Sequence, residues 1–154
     1  MKFLATLAVM AMVAVGSLVM SASASAAAHC HGLTATITGS AGPDQIVGTD
    51  RQDVIVARGG NDIIRSGGGR DVICAGRGDD EVNAGERHDR VFGGRGLDDL
   101  RGARGADRLF GEEGRDQLFG GSENDTLSGG SGTDEGFGGS GTDTCLSIEF
   151  AHGC

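Results

Sequence analysis

The sequence predicts an all-β fold, a parallel β-roll (β-solenoid) of about twelve nonapeptide repeats with short segments closing its ends. Three observations carry that expectation. Twelve aspartates stand nine residues apart without a slip: Asp44, Asp53, Asp62, Asp71, Asp80, Asp89, Asp98, Asp107, Asp116, Asp125, Asp134 and Asp143. With Gly39 as the first position of the repeat, that position is Gly in eight repeats and Ala or Ser in four, and the fourth position is Gly in nine. The eighth is aliphatic in ten: Ile46, Ile55, Ile64, Ile73, Val82, Val91, Leu100, Leu109, Leu118 and Leu127. A fixed short period makes each repeat one unit that buries its apolar side chain only by stacking on its neighbours.

Each repeat divides into two halves. Positions one to six are glycine-rich and suit a turn with φ > 0, which Gly adopts without steric cost. Positions seven to nine suit a very short strand, whose period of two sends the eighth side chain inward and its flanks outward. Two repeats then make one coil, and stacked coils bury the aliphatic residues between two parallel sheets. Gly136 and Cys145 hold the last two eighth positions, so the core thins towards the C-terminus. Residues 147–154, with Ile148 and Phe150, are expected to cap that end beside Leu146, and residues 29–38, which alternate like a strand from Leu33 to Thr38, the other.

The repeat reads G-G-x-G-x-D-x-U-x, with U a large aliphatic residue, and residues 39–146 resemble the RTX (repeats-in-toxin, hemolysin-type) calcium-binding family. The resemblance implies a Ca²⁺ ion between turns i and i+2 on each edge of the roll. The aspartates then fall into two columns. Asp44, Asp62, Asp80, Asp98, Asp116 and Asp134 form one; Asp53, Asp71, Asp89, Asp107, Asp125 and Asp143 form the other. The implied ligands are these carboxylates and carbonyls of the glycine turns at Gly60, Gly69, Gly78, Gly96, Gly105, Gly114, Gly132 and Gly141, with about ten gaps in all.

The residues support calcium independently. It accepts six to eight oxygens at flexible geometry, whereas Mg²⁺ wants a rigid octahedron and Zn²⁺ wants His and Cys, which the repeats scarcely contain. Stacked carboxylates also repel unless a cation lies between them. Without the ion, high charge and low hydrophobicity predict disorder, so binding and folding are expected to be one event.

The chain of 154 residues has a formal charge of −9, and loss of its single lysine, Lys2, makes it −10. Such acidity disfavours nucleic acid and anionic membranes as partners and favours cations. Residues 1–28 read as a secretory signal: Lys2, an apolar stretch over 4–20, and a small-residue cleavage site at 26–28, with cleavage after Ala28 or alternatively after Ala24 or Ala26. The stretch is short, Ala-rich and without a basic stop-transfer flank, so no membrane span is expected in a mature, extracellular form. Four cysteines in an exported chain suggest two disulfides. Three pairings are open; the expected one is Cys145–Cys154, closing a short loop, with Cys30–Cys74 tying down the N-terminus.

The outward positions differ between the two sheets. One carries Val56, Cys74, Phe92 and Phe110 with Arg90 and Arg108; the other carries Glu81, Asp99 and Glu135. The Phe92–Phe110 face could meet a cell-surface or protein partner, or simply shield the sheet. No catalytic constellation stands out: there is no H-E-x-x-H, no G-x-S-x-G and no P-loop. His88 and His152 read as surface residues; if cleavage falls after Ala28, the free amine of His29 and His31 could chelate Cu²⁺ or Zn²⁺, a reading with which a disulfide at Cys30 and alternative cleavage both compete. The toxin or protease activity of larger RTX proteins is not expected, since no second domain stands beside the repeats.

Position four departs from glycine at Arg51, Arg87 and Glu123, all in the second column, while the first keeps Gly42, Gly60, Gly78, Gly96, Gly114 and Gly132. A left-handed backbone there costs on the order of 1 kcal/mol per replacement. The first column is therefore expected to bind more tightly, above all between Asp80 and Asp98. Replacing Asp80 and Asp98 by Ala should lower calcium affinity, measured by titration, more than replacing Asp53 and Asp71; equal losses contradict the two-column reading.

Overall fold

The computed structural model describes residues 28–154, so the secretory signal expected over residues 1–28 lies outside the described residues but for Ala28. The chain folds as a parallel β-solenoid of about six coils, with no helix among the described residues. A short antiparallel hairpin of β1 (His29–Cys30) and β2 (Leu33–Thr34) comes first. Strands then alternate between two seven-stranded parallel sheets. One holds β3 (Ile37–Thr38), β5 (Val54–Gly59), β7 (Val72–Arg77), β9 (Arg90–Gly96), β11 (Arg108–Gly114), β13 (Thr126–Gly132) and β15 (Thr144–Leu146). The other holds β4 (Gln45–Val47), β6 (Ile63–Arg65), β8 (Glu81–Glu86), β10 (Asp99–Arg104), β12 (Gln117–Ser122), β14 (Glu135–Ser140) and β16 (Phe150–His152).

The register is the period doubled: Leu100 stands between Val82 and Leu118, and Leu109 between Val91 and Leu127. Each rung therefore sets identical repeat positions above one another. The ten aliphatic residues at position eight form one continuous core with Ala57, Ala75 and Ala84, and nine of the ten, all but Ile46, are wholly buried. Burying each stabilises by about 1.5–3 kcal/mol.

Strands in the middle of the roll run six or seven residues, longer than the three expected. The ladder passes over position one and resumes at position two: Cys74 pairs with Phe92, then Gly76 with Gly94. From the third repeat onward position two carries the positive φ that permits this, from 77° at Glu112 to 119° at Gly76. Position four is left-handed as well, in every repeat except the first two, at Gly42 and Arg51. Gly in seven of the twelve repeats was the signal for position two.

The ends close as extra partial rungs. Residues 33–38 do not make one strand: β2 belongs to the hairpin and β3 starts the sheet, with Ile37 against the end of the core. The hairpin folds over the outer face of β5 and β7, where Cys30 joins Cys74 with Cα atoms 5.8 Å apart. That contact makes a second small core of Cys30, Val54, Val56 and Val72, flanked by Cys74 and Phe92. Position-nine residues expected to face outward are thus covered by the chain itself at this end. At the other end Cys145 is joined to Cys154, and Ile148 packs against the core beside Cys145. A Cβ on Gly136 would lie 2.6 Å from Ile148 Cδ1, so Ile148 occupies the space a repeat side chain would fill.

Aromatic side chains stack along both outer faces. His31 lies on Phe92 and Phe92 on Phe110, with centroids 3.7 and 4.9 Å apart. On the other sheet Phe119, Phe137 and His152 stack at 4.9 and 4.8 Å, a ladder the sequence reading did not foresee. Arg101 bridges that acidic face, 2.7 Å from Asp99 and 3.5 Å from Glu81.

Truncating Ile148 to Ala should cost about 2 kcal/mol in calcium-loaded thermal unfolding, because it opens a cavity under the last rung. Leu146→Ala, at an exposed site, should change stability by no more than about 0.5 kcal/mol. Equal effects would mean that Ile148 is not the plug.

Candidate metal centre

All twelve aspartates fall in two columns at the turn edges, just before the strands. Asp44, Asp62, Asp80, Asp98, Asp116 and Asp134 precede strands of the β4 sheet; Asp53, Asp71, Asp89, Asp107, Asp125 and Asp143 precede strands of the β5 sheet. Within each column the backbone N–H of one aspartate donates to Oδ1 of the aspartate a rung further on. Ten such bonds run from Asp44→Asp62 to Asp125→Asp143, at 2.8 or 2.9 Å. The aspartates thus also fasten rung to rung, a role the nine-residue period did not reveal.

The second carboxylate oxygen behaves differently. Oδ2 of Asp62, Asp71, Asp80, Asp89, Asp98, Asp107, Asp116, Asp125, Asp134 and Asp143 is buried and accepts no hydrogen bond. All of these residues but Asp143 are at most 2% exposed. A buried polar atom without a partner costs free energy, and a buried charge costs much more. Where position one is glycine, a backbone carbonyl oxygen lies close to this Oδ2. The position a Cβ on Gly102 would take lies 2.5 Å from Asp107 Oδ2 and 2.7 Å from the carbonyl oxygen of Gly120, one rung on. The same pairing recurs along both columns through Gly93, Gly111 and Gly120. A larger first-position side chain would intrude between the two oxygens, which is why that position stays small.

A row of unpartnered carboxylate oxygens beside backbone carbonyls, with a side-chain hydroxyl close by only at Asp71 (Ser66), is a setting for a hard cation. Among the described residues no three His, Cys, Asp or Glu side chains cluster as a metal site. An ion would therefore draw on carboxylates and carbonyls together, as calcium does. The eight glycines expected to expose those carbonyls (Gly60, Gly69, Gly78, Gly96, Gly105, Gly114, Gly132 and Gly141) all have positive φ, between 112° and 151°. Of the three non-glycine fourth positions, Arg87 and Glu123 take the strained conformation at 81° and 80°, whereas Arg51 does not. The turn at Arg51 is built otherwise.

That difference lies at the N-terminal end, where Asp44 and Asp53 find protein donors. Asp44 Oδ2 accepts the Ser40 backbone N–H at 2.6 Å and the Ser40 hydroxyl at 3.0 Å. Asp53 Oδ2 accepts the Thr49 backbone N–H and hydroxyl, both at 2.8 Å, while Thr36 Oγ1 donates to Asp53 Oδ1 at 3.1 Å. At the other end the N–H of Asp134 donates to Glu149 Oε2 at 2.7 Å. The carbonyl oxygens of Ser147 and Gly153 face Asp134 and Asp143 where a next rung would supply them. Sequence reasoning missed Glu149 because it follows Asp134 by fifteen residues instead of eighteen. Ser40 and Thr49 were visible as hydroxyl residues at position two of the first two repeats only.

Burial pushes the carboxyls upward in pKa: Asp89 to about 8, Asp98 to about 7, and Asp80, Asp107, Asp116 and Asp125 to about 6. Asp62 and Asp71 move the same way. In each case the N–H of the preceding aspartate in the column pulls the other way, less strongly than desolvation pushes.

A solenoid with two edge columns of carboxylates facing carbonyl oxygens defines a class, the ion-binding β-rolls. The family model for the RTX calcium-binding nonapeptide repeat (4 copies) matches residues 38–73, 47–82, 75–109, 83–118 and 110–145. The chain belongs to that family, and so to the calcium-binding repeats. Neither a curated protein nor a solved structure matched it.

The raised carboxyls fix a pH dependence. An unfolded Asp titrates near 3.9, so the folded, ion-free roll holds its protons more tightly than the unfolded chain. Its stability is greatest below about pH 4 and is lost as pH rises through 6 to 8. In metal-stripped buffer the β signal in circular dichroism should be stronger at pH 4 than at pH 8. With calcium the order reverses, because the ion needs the deprotonated form. A metal-free signal that grows with pH would contradict this.

Proposed function

We propose that the chain is a secreted calcium-binding protein that binds Ca²⁺ between stacked turns and folds as it does so. The observation that carries this reading is the series of ten buried Oδ2 atoms without donors. A divalent ion between rungs compensates charge that burial otherwise disfavours, and it joins two rungs that local contacts alone hold weakly. The ligands proposed are the ten aspartates from Asp62 to Asp143 with turn carbonyls. When bound, calcium supplies charge compensation; positioning falls to the chain, through the N–H bond to each Oδ1 and the left-handed glycines.

Two disulfides and the signal-like residues 1–28 support export to an oxidising compartment where calcium is plentiful. Extracellular modules have Kd on the order of 10⁻⁴–10⁻³ M. At about 1 mM free calcium each site then contributes roughly 0.4–1.4 kcal/mol, and several acting together decide whether the roll forms. The Phe92–Phe110 face, a candidate surface for an external partner, loses part of its apolar area to His31 and the N-terminal hairpin. Calcium therefore carries the functional reading alone.

Circular dichroism during a calcium titration at pH 7.5, with magnesium as control, tests this. The expected result is a cooperative gain of β structure near millimolar calcium and little response to magnesium. Full β content in EGTA, or equal response to both ions, would overturn it.

A further inference from the structure

The first rung differs from the others in a way that separates ion-bound from ion-free parts of the roll. The gap before each later rung leaves a carboxylate oxygen without a donor, but at Asp44 and Asp53 the chain fills the gap itself. Ser40 supplies two donors to Asp44, and its hydroxyl accepts the Gly42 N–H at 3.2 Å. Thr49 does the same for Asp53, with the Arg51 N–H on its hydroxyl at 3.1 Å. Thr36 closes the network, donating to Asp53 Oδ1 and accepting the Val54 N–H at 2.9 Å. Neither turn uses a left-handed residue: Ser40, Gly42, Thr49 and Arg51 lack the positive φ that later repeats show at the same positions.

Three independent features strengthen the same end. The hairpin of β1 and β2 adds a second core of Cys30, Val54, Val56 and Val72 on the outer face of the sheet. The Cys30–Cys74 bridge spans 44 residues of sequence and ties that hairpin to β7. Position one in four of the early repeats is Ala57, Ser66, Ala75 or Ala84, all wholly buried, so these rungs bury three methyl groups and a hydrogen-bonded hydroxyl where the later ones have only glycine. At the opposite end the core ends in Gly136 and Cys145, and the last strands leave Leu146 and Phe150 exposed.

We infer that the Ser40–Asp44 and Thr49–Asp53 turns, with the bridged hairpin, form a nucleus that needs no ion, and that calcium-driven ordering propagates from it towards the C-terminus. Asp44 and Asp53 are structural acceptors in this reading, and the metal-binding series begins at Asp62 and Asp71. The inference rests on the calcium reading for its second half only; the ion-free nucleus stands on hydrogen bonds and packing. Its value to the chain is polarity. One end is folded before calcium is met, so each ion completes a rung against an ordered template and does not have to nucleate the ladder, the step in which many residues are ordered for little return.

Hydrogen–deuterium exchange of the purified, disulfide-intact chain in EGTA tests it. Amides over residues 36–57 should exchange at least about tenfold more slowly than those over 108–140. Ser40→Ala with Thr49→Ala should remove about tenfold of that protection. In saturating calcium, Asp44→Asn with Asp53→Asn should leave the number of bound ions unchanged, while Asp98→Asn with Asp107→Asn lowers it. Uniform exchange along the chain in EGTA, fast or slow, overturns the nucleus. Loss of ions from the Asp44/Asp53 variant overturns the assignment of those residues. A wild-type chain that keeps its N-terminal protection but takes up no calcium would instead refute the proposed function and leave the nucleus standing.

Discussion

A carboxylate oxygen taken out of water and given no donor raises the free energy of the folded state, and this roll repeats that arrangement ten times along two edges. The arrangement follows from the period. Because each coil takes eighteen residues, the aspartates of a column land over one another, and from Asp62 and Asp71 onward each has its Oδ1 caught by a backbone N–H and its Oδ2 left without a donor. The ladder bonds that stack the rungs are therefore the same bonds that bring the charges together. The chain needs either protons or divalent cations in those gaps, and calcium's tolerance for mixed carboxylate and carbonyl shells suits them.

Much of this was legible in the sequence. The nine-residue spacing gave the two columns, and the aliphatic eighth position gave the core that joins Ile46 to Leu127. Glycine at position four gave the left-handed turns at the eight expected sites. What stayed hidden has physical causes. Strand length was underestimated because the pairing passes over position one and resumes at position two, inside the glycine-rich half whose composition reads as turn. The terminal capping was hidden because it breaks period: Glu149 and the Ser147 carbonyl stand in for a rung without repeating its spacing. The Phe119–Phe137 pair carries the same eighteen-residue signal as Phe92–Phe110 and was legible; only His152, which joins the stack from the irregular tail, was hidden.

The two ends solve the same problem of an open solenoid by different chemistry. Hydroxyls, a hairpin and a disulfide satisfy the first rung, whereas the last is completed by an irregular segment that mimics repeat oxygens and plugs the core with Ile148. An exposed strand edge would otherwise invite further pairing. The outer faces are finished likewise from within the chain, His31 and His152 each ending a ladder of phenylalanines.

Native mass spectrometry of the purified chain at neutral pH, reading ion count and compactness in the same spectrum, bears most directly on the idea that cations compensate the buried columns. The compact species should carry many calcium ions, up to about one for each donor-less Oδ2, and should give way to extended species as the ions are stripped. A fully compact population that carries no metal at all would contradict it.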